Sequence, residues 1–391
     1  TIVKRNYMEK RETPNVKYFC SLPFNGAQIN EEGTVRPCCN WDPADQNDWP
    51  NMKDGLTNAV QHPRFQEGRD NMLNDIYTPG CRRCFENEKA KKDSTRLANL
   101  SRDKDWIKQN FDNNLFNKDF YELHYLDTTF SILCNLSCRM CSGMVSSTFG
   151  KIIEKDNITD SYDISEVDFD VSKLDRIKFV GGEPLMEPKH NLFLEKIVRD
   201  GVDLKNLDLV YHTNATKLPT KAVQEIWKKC KSVLINLSID GYKDTNWIQR
   251  PGSYTWDDIE RVCKQYKEWS QQSENIRIRV SSVITKINIF HLHELEKWID
   301  DFWGQEFYEK DDSFFGAYCI EWPRQLSICD WYLNEEKKKQ VNEYVFKIKN
   351  NKIRNHIKFW IKNNVGRYYG KFDYEQEMLN DYWKYDIDKY L

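Results

Sequence analysis

The 391-residue sequence predicts an α/β fold, a parallel sheet with helices laid outside it. Two observations carry that reading. After residue 141, apolar runs of strand length alternate with segments of helical periodicity. The residue types suited to binding and chemistry then fall at the carboxyl ends of those runs, where such folds place their sites. The length itself suggests two or three domains with ample chain for a core.

The elements follow in order. Residues 27–30 and 34–36 read as two short strands joined by the turn NEEG, and a helical excursion including 62–74 comes after them. Residues 125–133 form an apolar strand running into a loop. Strands are predicted at 176–180, 207–212, 233–239 and 276–284, and a weaker one at 314–320. Helical patterns at 191–200, 221–230, 256–270 and 292–302 lie between them.

A mean hydropathy of -0.78 and 30% charged residues lead to the expectation of a soluble protein. No run of about 18 apolar residues is present to span a bilayer. The first eighteen residues lack the apolar stretch of a signal peptide, so the expectation is a cytoplasmic protein. In that setting twelve cysteines read as metal ligands before disulfides.

Three of these cysteines, Cys134, Cys138 and Cys141, stand in the segment CNLSCRMC with C-x3-C-x2-C spacing. Three thiolates on one loop hold three corners of a four-iron cubane and leave the fourth iron open to a small molecule. Zinc sites prefer paired C-x2-C knuckles and four closed ligands, which an isolated triple does not offer. Three unrelated buried thiols are the other alternative. The segment resembles the signature of the radical S-adenosylmethionine (SAM) superfamily, which sets such a loop after the first strand of a partial (β/α)6 barrel. The resemblance implies a [4Fe-4S] cluster on these three cysteines, with SAM chelating the fourth iron. Reductive cleavage of SAM would then yield a 5′-deoxyadenosyl radical. Where the family often has an aromatic residue before the last cysteine, this chain has Met140, a flexible apolar side chain that can fill the same volume.

A second cysteine group stands in front. Cys20 and Cys38 are brought to the same end by the predicted hairpin, and Cys81 and Cys84 form a C-x2-C knuckle in PGCRRCFENE. The phrases C-x2-P-F and G-x4-C are similar to the SPASM/twitch auxiliary-cluster domain of radical SAM enzymes, here placed before the barrel. That resemblance implies a second [4Fe-4S] cluster on Cys20, Cys38, Cys81 and Cys84, with Cys39 spare; a structural zinc ribbon is the alternative.

Further candidates sit at the strand ends. In KFVGGEP, Gly181 and Gly182 let a backbone come close to a ligand, and Glu183 can accept from an ammonium. With Pro184 they match the family motif that binds the amino group of SAM; read alone, the stretch is a turn. Asn214 closes the next strand, and Ser238 and Asp240 follow the one after, on one face if the strand alternates. Ser238 matches a family position that contacts SAM ribose or carboxylate. Arg250 resembles the arginine that pairs with the SAM carboxylate, with a plain surface arginine as the alternative. Asn288 matches a position that binds adenine.

His124, His291 and His293 have no partners at metal spacing, and Cys230 and Cys263 read as buried thiols. Cys319 and Cys329 are core thiols or, for Cys319 near a strand end, a hydrogen-atom donor. From 337 to 371 there are eleven Lys/Arg and one acid, Glu343, within a chain of net charge -3. Apolar residues there recur at helical spacing and predict two amphipathic helices with a positive outer face that would suit a polyanion or nucleic acid. Six acids in the last twenty residues oppose that patch.

The expected organisation is thus an auxiliary-cluster domain at 1–118, a radical SAM partial barrel at 119–325 and a basic helical extension at 326–391. The expected function is hydrogen abstraction from a peptide or protein side chain, with electrons from a flavodoxin- or ferredoxin-type reductant. Dehydrogenation or epimerisation of a sugar, nucleoside or cyclitol is the alternative within the same chemistry. Outside it stands a non-catalytic nucleic-acid-binding protein with structural metal.

Overall fold

The turn after residue 29 shows how local chemistry sets the first element. The Asn30 side chain accepts from the Thr34 N–H at 2.8 Å, and Gly33 takes a φ of 80°, which suits a residue without a Cβ. The chain reverses, and β1 (Gly26–Ile29) pairs antiparallel with β2 (Val35–Arg36), Gln28 opposite Arg36. This is the expected hairpin. It does more than expected, because β1 also pairs in parallel with β3 (Tyr125–Thr129), Gly26 opposite Tyr125 and Ile29 opposite Thr128.

The computed structural model describes residues 16–41, 48–89, 93–153, 169–362 and 372–384. The chain divides into two compact units, the first made of Thr1–Thr128, Tyr162–Lys178 and Arg199–Asp203. Its core gathers Phe19, Leu22, Phe24, Trp41, Met72, Leu100, Ile107 and Tyr125. The helix Pro63–Leu73 starts on a proline, where no N–H is needed, and His62 caps it by accepting from Arg64 N–H. Arg69 on that helix is fully buried and ties three segments together, donating to the carbonyls of Lys118 (2.6 Å), Pro23 (3.1 Å) and Val60 (2.9 Å).

The second unit comprises Thr129–Ser161, Phe179–Val198 and Leu204–Leu391. Between the units in sequence runs β4 (Arg176–Val180), with Ile177 and Phe179 buried. Then β5 (Asp208–Thr213), β6 (Ser232–Ser238), β7 (Ile276–Ile284) and β8 (Phe315–Cys319) lie side by side in that order, every pair parallel. Parallel neighbours require crossovers, and the helices Pro188–Arg199, Lys221–Trp227, Trp256–Gln272 and Leu292–Trp303 supply them. The fold is therefore α/β, of the partial TIM type, and the expected strands β4 to β8 start and end within one residue of their predicted bounds.

Helix Trp256–Gln272 illustrates the coding. Thr255 and Asp258 form a capping box, and Ile259, Val262, Cys263 and Tyr266 supply the buried stripe at helical spacing. The two helices expected in the basic stretch are Glu335–Tyr344 and Asn351–Lys362, with Val341, Tyr344, Ile353, Ile357, Trp360 and Ile361 buried. Residues 363–371 of that stretch lie outside the described residues. A last helix, Phe372–Trp383, follows.

Candidate metal and cofactor site

The loop after β3 is held from both sides by backbone bonds. Ser137 N–H donates to the Pro251 carbonyl at 2.8 Å and Arg139 N–H to the Gln249 carbonyl at 2.9 Å. On the other side, Ser147 N–H bonds the Ile132 carbonyl at 2.7 Å, and Thr148 donates its hydroxyl to the Cys134 carbonyl at 2.7 Å. A loop so fixed presents its side chains in one arrangement. Cys134, Cys138 and Cys141 pack together with Leu136, Met140 and Tyr254.

Hydrogen-bond donors face two of the sulfurs. Leu136 N–H (3.5 Å) and the Asn214 side-chain amide (3.8 Å) point at the Cys134 sulfur, and an Arg250 N–H points at the Cys138 sulfur from 3.7 Å. A hydrogen bond from Cys141 draws Cys138 below the usual thiol range; burial opposes this and Arg250 adds to it. Burial pushes Cys134 up to about 12 in the metal-free protein, with Cys138 contributing. None of the twelve cysteines, all described, forms a disulfide.

The donor set fits an iron–sulfur cubane. Among the described residues no three His, Cys, Asp or Glu side chains converge as closely as one metal ion requires. A cubane asks for something looser, since each thiolate binds a different iron. Cys134, Cys138 and Cys141 would hold it, with Asn214 and Arg250 as donors toward its sulfur environment.

The GGEP segment lies directly on this loop. Gly182 N–H and Glu183 N–H donate to the carbonyls of Ser131 (3.4 Å) and Leu133 (2.7 Å). A Cβ on Gly182 would stand 2.3 Å from the Leu133 oxygen, and Gly181 has a φ of +124°. Pro184 opens a short turn, Pro184–Met186, that Glu183 caps. Glu183 is 1% exposed and accepts from Thr213 Oγ1 at 2.8 Å, Asn214 N–H at 2.7 Å and Leu185 N–H at 3.2 Å. Burial nevertheless raises its pKa to about 7, so it is poised to gain from a cationic partner.

The other expected contacts take varied positions. Ser238 ends β6, level with Ser281 of β7. Asp240 is fully buried and pairs with Arg250 at 2.5 Å, while its other oxygen accepts from Val283 N–H at 2.7 Å. Arg250 is thus a buried partner of Asp240 and Cys138 and not a surface arginine. Asn288 spends its amide on the carbonyls of Asp240 (2.7 Å) and Val283 (2.8 Å) and accepts from Thr285 N–H at 2.8 Å. As placed, it organises the loop after β7. Met140 packs beside Trp247 against Ile248, Ile287 and Leu326.

Of the front cysteines, Cys20 belongs to the core of the first unit, and Cys38 and Cys81 pack against it. Cys20 and Cys84 are buried, and Cys38 and Cys81 half-buried. Burial raises all four thiols above their ordinary range, Cys20 to about 12, and their mutual proximity adds to it: Cys84 acts on Cys20, Cys20 and Cys81 on Cys38, and Cys20 and Cys84 on Cys81. Arg96, paired with Glu88 and donating to the Phe19 carbonyl at 2.9 Å, offsets part of that cost. Of the residues set aside, Cys230, Cys263, Cys319 and Cys329 are buried. His124 bonds Asp175 at 2.8 Å, His291 pairs with Glu294 at 3.1 Å and His293 meets the Tyr344 hydroxyl at 2.9 Å.

Sequence reasoning missed Thr213 and Arg139. Thr213 stands one residue before Asn214 at the end of β5, and strand-end position alone could have flagged it. Arg139, between Cys138 and Met140, reads as a surface charge but is fully buried and donates to the Ile248 carbonyl at 2.8 Å.

Residues 128–301 match the model of the Radical SAM superfamily. No curated protein matches the chain. Among solved structures, native anSMEcpe with bound AdoMet aligns at 17% identity over 62% of this chain and 63% of that one, with a TM-score of 0.37. The alignment thus spans less than two thirds of anSMEcpe. SuiB of Streptococcus suis, bound to precursor peptide SuiA, aligns at 15% identity over 90% of this chain and 73% of that one, with a TM-score of 0.37. Residues 128–301, a little under half of the chain, are thus similar to the Radical SAM superfamily.

Proposed function

We propose that the chain is a radical SAM maturase acting on a peptide or protein side chain, with the front cysteines holding an auxiliary [4Fe-4S] cluster. The observation that carries the catalytic part is the loop of Cys134, Cys138 and Cys141, with donors from Leu136, Asn214 and Arg250 aimed at its sulfurs. Cys134, Cys138 and Cys141 would hold the cluster, and once reduced by a flavodoxin- or ferredoxin-type donor it would supply one electron for cleaving SAM to methionine and a 5′-deoxyadenosyl radical, which would take hydrogen from a substrate carbon.

The residues of this chain bind and orient. Glu183, at the end of the GGE segment and hydrogen-bonded on both oxygens, is suited to receive the SAM ammonium. The proximity of glycine backbone to the loop keeps that carboxylate beside the cysteines. Arg250, charged and buried with Asp240, contributes positive potential at the Cys138 sulfur. Abstraction of hydrogen needs proximity and exclusion of water more than proton transfer, so no general base is assigned. The C-x2-C knuckle of Cys81 and Cys84, with Cys20, Cys38 and Cys81 at one core, supports a second metal centre that would accept the electron left on the substrate.

Anaerobic incubation with SAM, a strong reductant and candidate peptides tests the reading. The expected result is 5′-deoxyadenosine carrying deuterium from a labelled peptide. Deuterium arriving only from a sugar, nucleoside or cyclitol would move the substrate class, and no deoxyadenosine from a fully iron-loaded chain would end the catalytic reading.

A further inference from the structure

Arg139 lies inside the cysteine loop, and its partners come from the far end of the chain. Its guanidinium Nη1 donates to Gln376 Oε1 at 3.1 Å and to Asn380 Oδ1 at 2.9 Å. Gln376 then returns a bond, its Nε2 donating to the Arg139 carbonyl at 3.1 Å. Two positions earlier in the loop, Ser137 Oγ accepts from Trp383 Nε1 at 2.7 Å. Gln376, Asn380 and Trp383 are spaced i, i+4 and i+7 and so share one face of the helix Phe372–Trp383. Leu379, fully buried, and Met378 pack with Phe149, Ile152, Ile153 and Cys141.

The geometry bears on the cysteines themselves. Arg139 is held at its N–H by Gln249, at its carbonyl by Gln376 and at its side chain by Ile248, Gln376 and Asn380. Both peptide planes flanking residue 139 are therefore fixed; one of them carries the Cys138 carbonyl, which accepts from Cys141 N–H at 2.8 Å and so ties both cysteines to it. Ser137 fixes the other side of Cys138. A three-thiolate site tolerates little error in the placement of its cysteines, because preorganisation of the ligands is what the fold contributes.

We propose that Gln376, Asn380 and Trp383 are positioning residues of the radical-generating centre, and that the helix Phe372–Trp383 is a clamp on the cysteine loop. The proposal rests on the reading that Cys134, Cys138 and Cys141 hold a cluster. Gln376, Asn380 and Trp383 spend their polar atoms on the loop.

The test uses the full chain with Gln376→Ala and Asn380→Ala combined, and separately Trp383→Phe, which keeps the ring and removes its N–H. In metal-free protein, amide hydrogen exchange at residues 137–141 should quicken at least about tenfold in the double variant, the lower bound expected for losing three hydrogen bonds that hold a local opening closed. Amides of β6 and β7 should be unchanged. After anaerobic reconstitution, loop iron should pass to a chelator about tenfold faster than in wild type, and Asn380→Asp, which keeps the acceptor for Arg139, should retain iron within about threefold of wild type. Equal exchange and equal iron retention would overturn the clamp, as would faster exchange spread evenly over the chain. Should wild-type protein hold no iron on the triplet, the reading of the site fails, while the exchange comparison still decides whether the helix fixes the loop.

Discussion

Gly182 meets a constraint that no side chain satisfies. A methyl there would face the Leu133 oxygen at 2.3 Å and both the carbon and oxygen of Ile132 at 2.7 Å, all backbone and unable to swing aside. Gly182→Ala should cost about 1–3 kcal/mol in denaturant unfolding, as overpacking does, and should lower affinity for SAM by displacing Glu183. Glu183 itself yields a pH prediction. Its folded pKa, about 7, lies above the ordinary 4.5, so its contribution to stability is fully present below about pH 4.5 and is lost as the pH rises through 7. Relative to Glu183→Gln, which cannot ionise, the metal-free wild type should lose up to about 3 kcal/mol between about pH 5 and pH 8. Unfolding midpoints of both proteins at the two pH values measure it, and a constant difference would show that Glu183 remains ionised throughout.

Among elements, the segment joining β6 to β7 depends on one buried ion pair. Asp240 follows β6, Arg250 follows the short helix Asp244–Gln249, and Val283 of β7 donates to the same carboxylate. Arg250→Met should cost about 3–5 kcal/mol because it strands a fully buried charge, and pairing it with Asp240→Asn should recover part of that loss. A double-mutant cycle in urea reads the coupling directly. The same region shows where sequence is and is not legible. Strands β4 to β8 and the helix Trp256–Gln272 were readable because alternation, helical spacing and a capping box are local signals. The parallel pairing of β1 with β3 was not, since Gly26 and Tyr125 are far apart in sequence and parallel pairing leaves no turn to mark it. The cysteine triplet and GGEP announced themselves by spacing, whereas Arg139 did not. Its burial depends on Gln376 and Asn380, more than two hundred residues away.

Over the whole molecule, two separate groups of cysteines predict two separable pools of iron. Anaerobically reconstituted protein should carry about eight irons, and Cys81→Ser with Cys84→Ser should bring this to about four while SAM cleavage to deoxyadenosine persists. Loss of both pools together would contradict independent centres, and a zinc content of one with four irons would assign the front site to zinc. The basic stretch is less available than its composition suggests: Lys338, Lys349 and Lys352 pair with Glu335, Asp300 and Asp312, at 2.5, 2.5 and 3.2 Å. No helix among the described residues is long and apolar enough to cross a membrane.

The glycine pair carries one more implication. Because Gly181 and Gly182 are demanded by backbone crowding and backbone conformation in the protein alone, a descendant that abandoned the chemistry would still be obliged to keep them in order to fold. In such a lineage the carboxylate next to them, costly to inter and useful chiefly to a visiting cation, would be the first to drift. The fate of residue 183, more than of 181 or 182, is therefore the mark by which a working copy can be told from a retired one.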